Sequence, residues 1–141
     1  MISFEFQESN SFVLGLTHKQ WLKAIVRNEG KEPGDIHYFF CDDNYLLKNN
    51  LHFLNHETLT DIITFDEDLG DLVAGDIMIS MDRIRENAQK FEVSFEEELY
   101  RVMAHGVLHL CGYKDKTEED SKVMRAKEHE ALVLYELYRN L

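Results

Sequence analysis

The segment MAHGVLHLCGYKD, residues 103–115, is the part of the chain on which the fold and function predictions depend most. It places His105 and His109 four positions apart and then continues through Gly112 to Asp115. Side chains four apart on a helix lie on the same face, so both imidazoles can point to one place. Gly112 can adopt the left-handed conformation that ends a helix, and the chain after it can bring Asp115 back to that place.

This pattern predicts a catalytic metal site. Two imidazole nitrogens and one carboxylate oxygen leave the fourth tetrahedral position open, which is typical of catalytic zinc. We therefore predict His105, His109 and Asp115 as ligands of one Zn²⁺ ion, with another divalent metal as an alternative. The histidine pair alone is a weak motif, because seven histidines in this length produce such a spacing by chance in roughly one sequence of three. Two ordinary core or surface histidines are the alternative interpretation.

Two neighbouring residues refine the prediction. Gly106 stands where the zinc protease motif H-E-x-x-H has its glutamate base. A glycine inside a helix costs about 1 kcal/mol relative to alanine, so we expect another part of the chain to approach the backbone closely there. Cys111 points to a different side of the helix from His109, and we expect it in the core rather than on the metal.

Composition sets broader limits on the protein. The 141 residues are 44% hydrophobic, which suits one domain over residues 1–141 with a single core. We expect a soluble, cytoplasmic protein without a membrane segment or signal peptide, and the two cysteines are too few for a disulfide framework. The net charge of −12 argues against a broad basic surface that coats nucleic acid, and no DNA partner is expected.

The pattern of apolar residues and turn signals predicts a mixed α/β domain with four short strands and about five helices. A turn is predicted at Pro33–Gly34, and helix N-caps are predicted at Ser80, Ser94 and Thr117. The predicted strands cover residues 2–6, 36–41, 61–65 and 75–80, and the predicted helices cover 17–29, 43–54, about 80–90, 95–111 and 117–141.

HGVLHLCGYKD (105–115) resembles the YbeY family signature H-G-x-L-H-L-x-G-Y-D-H. Upstream, LTDIITF (59–65) is similar to the family's T-D-V-L-S-F strand, and AGDIMIS (74–80) is similar to its G-D-I-x-I-S strand. The dipeptide Leu54-Asn55 also matches, so the resemblance spans roughly residues 35–130.

The resemblance implies a metal-dependent, single-strand-specific endoribonuclease that processes ribosomal RNA, notably the 3′ end of the small-subunit RNA, in the bacterial cytoplasm. Precursor ribosomal RNA would be the substrate, and the ribosome or small-subunit proteins would be partners. The implied fold is α/β, with a small, mostly parallel sheet and a zincin-like metal helix. His105 and His109 match the first two of the family's three histidine ligands, and Asp115 stands in the place of the third.

The chain also departs from the family pattern. Lys114 occupies the place of the family's aspartate, and the segment LNHETLTD lacks the family's Tyr-Arg pair. The resemblance implies that the family arginine contacts phosphate or substrate, and we predict Lys114 as its substitute in the catalytic site. Asp61 and Asp76 are candidates for orienting a histidine, although capping or turn roles suit them equally. Two alternative functions stay open: a zinc metalloprotease-like hydrolase, and a non-catalytic ribosome-associated metal-binding module.

Overall fold

The computed structural model describes residues 1–7, 12–54, 60–67 and 69–141, with the backbone alone for residues 50–54. Within these ranges it contains the four strands and five helices that the sequence predicts. The strands are β1 (Ile2–Phe6), β2 (Glu32–Cys41), β3 (Ile62–Asp66) and β4 (Leu72–Ser80). The helices are α1 (Leu16–Asn28), α2 (Asp43–Leu54), α3 (Met81–Lys90), α4 (Phe95–Leu110) and α5 (Glu118–Arg139). The Leu54-Asn55 match lies outside the described side chains.

The strands form one sheet in the order β1-β2-β4-β3. The pairs β1-β2 and β2-β4 are parallel, and β3 runs antiparallel to β4 at one edge. The expectation of a small, mostly parallel sheet is therefore confirmed. Helix α4 packs against β3 and β4 and also against α1, α3 and α5. None of the described helices combines the length and apolar character that crossing a membrane requires.

The turn predicted at Pro33–Gly34 is wrong, because β2 already begins at Glu32. The register between β2 and β4 shifts between Pro33 and Ile36, and such an irregularity tolerates a residue that has no N–H to donate. A Cβ on Gly34 would lie 3.0 Å from Leu72 Cγ, so glycine allows the two strands to approach closely. The turn before β2 is instead made at Gly30, which has φ +75°.

Helix α4 begins and ends where the sequence predicts. The Ser94 side chain accepts a hydrogen bond of 3.1 Å from the backbone N–H of Glu97, and Gly112 follows the helix with φ +111°. At the start of α5, Thr117 and Asp120 form the predicted reciprocal capping box, with bonds of 3.0 and 3.3 Å. Both ends of the segment that carries the histidine motif are therefore fixed by local hydrogen bonds or by glycine conformation.

The close approach predicted at Gly106 is confirmed. A Cβ on this residue would lie 2.9 Å from Ile62 Cδ1 and 3.0 Å from Ile77 Cγ2. The backbone of α4 therefore rests directly on the side chains of β3 and β4. This contact places the neighbouring His105 and His109 beside the beginning of β3, where Thr60, Asp61 and Ile62 line the same cavity.

Candidate active site

His105 and His109 lie side by side on α4, with ring centroids 4.8 Å apart. Each ring is held at its Nδ1 atom. His105 Nδ1 lies 2.6 Å from Glu128 Oε2, and His109 Nδ1 lies 2.7 Å from the backbone oxygen of Tyr113. A carbonyl or carboxylate oxygen accepts only, so both Nδ1 atoms carry the proton and donate it.

These two hydrogen bonds suit metal binding. With the proton on Nδ1, the lone pair of each neutral ring is on Nε2, and metal-binding histidines commonly donate their second nitrogen to a carboxylate or a carbonyl in this way. Burial, and then the neighbouring His105, lower the pKa of His109, while Asp115 acts in the opposite direction. The neutral form of His109, which can donate a lone pair, is therefore favoured at neutral pH.

Asp115 lies on the rim of the same cavity as the two histidines. Its Oδ1 atom accepts a hydrogen bond of 2.7 Å from the Ser121 hydroxyl. Within residues 1–7, 12–54, 60–67 and 69–141, no three His, Cys, Asp or Glu side chains converge closely enough to hold a metal ion. The histidine pair is thus assembled, and the role of Asp115 as a third ligand stays a prediction.

The cavity in front of the histidines, called the main cavity below, has a volume of about 900 Å³. Lys114 and Lys116 line it, and neither forms an ion pair with another described residue. Lys114 therefore stands where the sequence predicts a cation beside the histidines. The cavity thus combines two imidazoles and three carboxylates with two lysines that no carboxylate of the described residues pairs, and these lysines suit an anionic substrate.

Two residues of the site were not predicted from the sequence. Arg101 lines the main cavity; its Nη1 lies 3.0 Å from Glu128 Oε1, and its Nε and Nη2 lie 2.9 and 2.7 Å from the carboxylate of Glu98. Arg101 precedes His105 by the same four positions that separate the histidines, so helical spacing was a usable signal. Glu128, on α5, had no such signal.

Neither Asp61 nor Asp76 is seen to orient a histidine ring among the residues that the structure describes. Asp61 lines the main cavity, but its carboxylate lies 4.0 Å from Arg101 Nη2, while the carboxylate on His105 is that of Glu128. The prediction for Asp76 is wrong, because Asp76 lines a pocket on the opposite face of the sheet. Side chains alternate along a strand, and Ile77 is the β4 residue that faces α4.

Cys111 is buried in the core, as predicted. Burial raises the pKa of its thiol to about 11, so the thiolate form that binds metals is strongly disfavoured. The two histidines and the acid after them therefore remain the metal-binding candidates of this segment.

Comparison with known proteins gives a consistent result. The model of the family described as Endoribonuclease YbeY matches residues 2–136. Proteins named Endoribonuclease YbeY are similar to the chain: that of Flavobacterium psychrophilum is 52% identical over 139 residues, covering 99% of this chain and 95% of the relative. That of Flavobacterium johnsoniae is 49% identical over 135 residues, covering 96% and 97%. The solution structure of TM1509 from Thermotoga maritima matches with a TM-score of 0.66 and 30% identity, covering 96% of this chain and 89% of that one.

Proposed function

The chain belongs to the endoribonuclease YbeY family and is an endoribonuclease, and from this we propose that it hydrolyses single-stranded RNA with the help of a divalent metal ion. We propose further that it acts as one domain over residues 1–141 in the cytoplasm. Its substrate there would be precursor ribosomal RNA near the 3′ end of the small-subunit RNA, with the ribosome as partner. The observation that supports metal dependence best is the pair of histidines with both Nδ1 atoms engaged.

In this proposal His105 and His109 hold the ion through their Nε2 atoms, and Asp115 supplies the third ligand. The donor set of two imidazoles and one carboxylate suits Zn²⁺. Bound there, the ion would lower the pKa of a water molecule and polarise a phosphoryl oxygen. Asp115 lines the same cavity as the histidines and uses one carboxylate oxygen for the Ser121 hydroxyl, so its second oxygen would be the metal ligand.

The chain's own cations position the substrate. Lys114 and Lys116 line the main cavity, and neither is paired with a carboxylate in the part of the chain that the structure describes, so they are available to the phosphates on either side of the cleaved bond. Arg101 also lines this cavity, but three of its five N–H donors are engaged by Glu98 and Glu128. Lys114 is therefore the better substitute for the arginine that this chain lacks.

The protease alternative loses support at Gly106. A glutamate base after the first histidine must face the metal, but this position faces Ile62 and Ile77 on the sheet. A glutamate side chain does not fit there unless Ile62 or Ile77 shifts. The proton acceptor in hydrolysis is thus not supplied from this position.

The decisive experiment treats the purified protein with single-stranded RNA and with casein, each with and without a chelator. We expect RNA cleavage that the chelator abolishes. Casein cleavage would support the protease, and inactivity on both substrates would support the non-catalytic module.

The same assays on His105→Ala and Asp115→Ala, together with metal analysis, test the proposed ligands. His129→Ala is the matched control, because His129 is exposed on α5 and lines none of the cavities near the motif. Both ligand variants should lose metal and activity, and the control should keep them. Metal held by Asp115→Ala as tightly as by the parent protein would exclude Asp115 as a ligand.

A further inference from the structure

A second cavity, of about 420 Å³, adjoins the main cavity. The two share Arg101, His105 and Asp115 as lining residues. On its far side the second cavity is bounded by Phe91 and Arg125. We call it the Phe91 pocket. The main cavity and the Phe91 pocket are therefore adjacent along these three residues.

Phe91 is 55% exposed although it is a large apolar residue. It is nevertheless presented from a defined backbone. Its N–H donates to the carbonyl of Asn87 over 2.9 Å, and the N–H of Val93 donates to the carbonyl of Ala88 over 3.0 Å. Between them, Glu92 adopts the left-handed conformation with φ +55°. These bonds close the C-terminal turn of α3 and fix the direction in which Phe91 leaves it.

The charges around the Phe91 pocket favour an anion beside the ring. Arg125 forms no ion pair with the described part of the chain, and Lys90 Nζ lies 5.7 Å from the centroid of the Phe91 ring. The carboxylates that line the pocket are already engaged. Glu128 is bound by Arg101 and His105, and Asp115 accepts from Ser121.

We propose that the Phe91 pocket binds one nucleotide of single-stranded RNA next to the cleaved bond, with its base stacked on Phe91 and its phosphate paired with Arg125. This inference rests on the proposed function and adds a binding site to it. An exposed aromatic ring beside a cation is the usual combination in single-strand binding, because every base offers a face for stacking. A base inside a duplex is covered by its neighbours, so the pocket would also explain a preference for single strands.

The first test measures binding of a fluorescent, unstructured RNA of about ten nucleotides in the presence of EDTA, which prevents the proposed cleavage. Phe91→Ala should weaken binding roughly tenfold, and Phe91→Trp should preserve it, because stacking needs the ring and not its identity. Tyr45→Ala is the matched control, since Tyr45 is 40% exposed but lines the pocket on the opposite face of the sheet. Equal melting temperatures verify that the variants are folded.

A second test locates the base. A set of RNAs is used in which each carries one abasic nucleotide at a different position. The parent protein should bind one of these RNAs more weakly than the intact RNA. Phe91→Ala should bind that same RNA and the intact RNA equally well. Arg125→Ala should reduce the slope of log affinity against log salt by about 0.7, the value for one phosphate contact on a single strand. Arg27→Ala makes the same charge change on α1, away from both cavities, and should leave the slope unchanged.

Two outcomes distinguish an error in the nucleotide site from an error in the proposed function. If the parent protein cleaves single-stranded RNA while Phe91→Ala binds it as tightly as the parent, the nucleotide site is wrong and the proposed function stands. If the parent protein neither binds nor cleaves single-stranded RNA, both are overturned.

Discussion

The position of the His105 ring depends on a residue from another helix. Glu128 is 4% exposed and uses one oxygen for His105 Nδ1 and the other for Arg101 Nη1. A buried carboxylate is stable only when it is paired and hydrogen-bonded, and these two partners satisfy it. In return, Glu128 fixes both the tautomer and the direction of the His105 imidazole.

Replacing Glu128 by glutamine should therefore weaken metal binding. The amide keeps the shape but loses the charge that supports the imidazole, and loss of such a partner typically lowers metal affinity about 10- to 100-fold. Competition between the protein and a chromophoric zinc chelator measures this effect.

Glu98→Gln is the matched control for that measurement. Glu98 is equally buried, at 2% exposure, and binds the same Arg101, but it is paired with the arginine and not with a histidine. The zinc affinity of Glu98→Gln should stay within a few-fold of that of the parent protein. Equal losses in both variants would show that the effect passes through Arg101 or the fold rather than through His105.

The sequence predicts the histidine pair but not this partner. The helical repeat alone determines that His105 and His109 share a face, and Gly112 indicates where the helix ends. The contact with Glu128 depends on how α5 packs against α4, 23 positions further along the chain. No local pattern contains that information, so the carboxylates nearest to the strands that resemble the family, Asp61 and Asp76, were the candidates instead.

Helix α4 is positioned by its contact with the sheet at Gly106. Alanine at this position would gain about 1 kcal/mol in helix propensity, but its Cβ would overlap Ile62 Cδ1 and Ile77 Cγ2. The Ile77 Cγ2 atom belongs to a β-branched side chain with little rotamer freedom. Overpacking typically costs about 1–3 kcal/mol, so Gly106→Ala should lower the free energy of unfolding by about 1 kcal/mol.

Urea unfolding of Gly106→Ala and the parent protein measures this difference. Lys122→Ala is the control, because Lys122 is exposed on α5 and forms no ion pair with another described residue, and its effect should stay within about 0.5 kcal/mol. A gain in stability for Gly106→Ala would mean that α4 does not rest on β3 and β4 as closely as described.

The types of the helices and strands were predictable from the sequence, whereas the beginnings of two strands were not. The sequence predicts that β2 begins at residue 36 and β4 at residue 75, whereas the strands begin at Glu32 and Leu72. These two residues pair with each other in the sheet, so each extension exists because the other strand is beside it. Pro33 and Gly34 read locally as a turn, but the pairing and the register shift override that tendency.

The site is far less negative than the molecule as a whole, because the two adjoining cavities are lined by equal numbers of cations and carboxylates, namely Arg101, Lys114, Lys116 and Arg125 against Asp61, Asp66, Asp115 and Glu128. The chain carries a net charge of −12, yet Lys114, Lys116 and Arg125, which line the two adjoining cavities, have no ion-pair partner in the described part of the chain. A negative surface repels RNA phosphates except where such cations gather. These cations lower the electrostatic cost of RNA contact around the histidines.

Removing the metal should leave the molecule folded. The main core is formed by apolar residues from the sheet and from α1, α3, α4 and α5, and neither His105 nor Asp115 belongs to it. Far-UV circular dichroism of the chelated protein should match that of the zinc-loaded protein.

Zinc that binds only the folded state at 100 times its Kd adds about 2.7 kcal/mol of stability, which corresponds to a rise in Tm of roughly 10 °C. His105→Ala should lose this rise and His129→Ala should keep it, whereas unfolding of the parent protein on chelation would make the metal structural rather than catalytic.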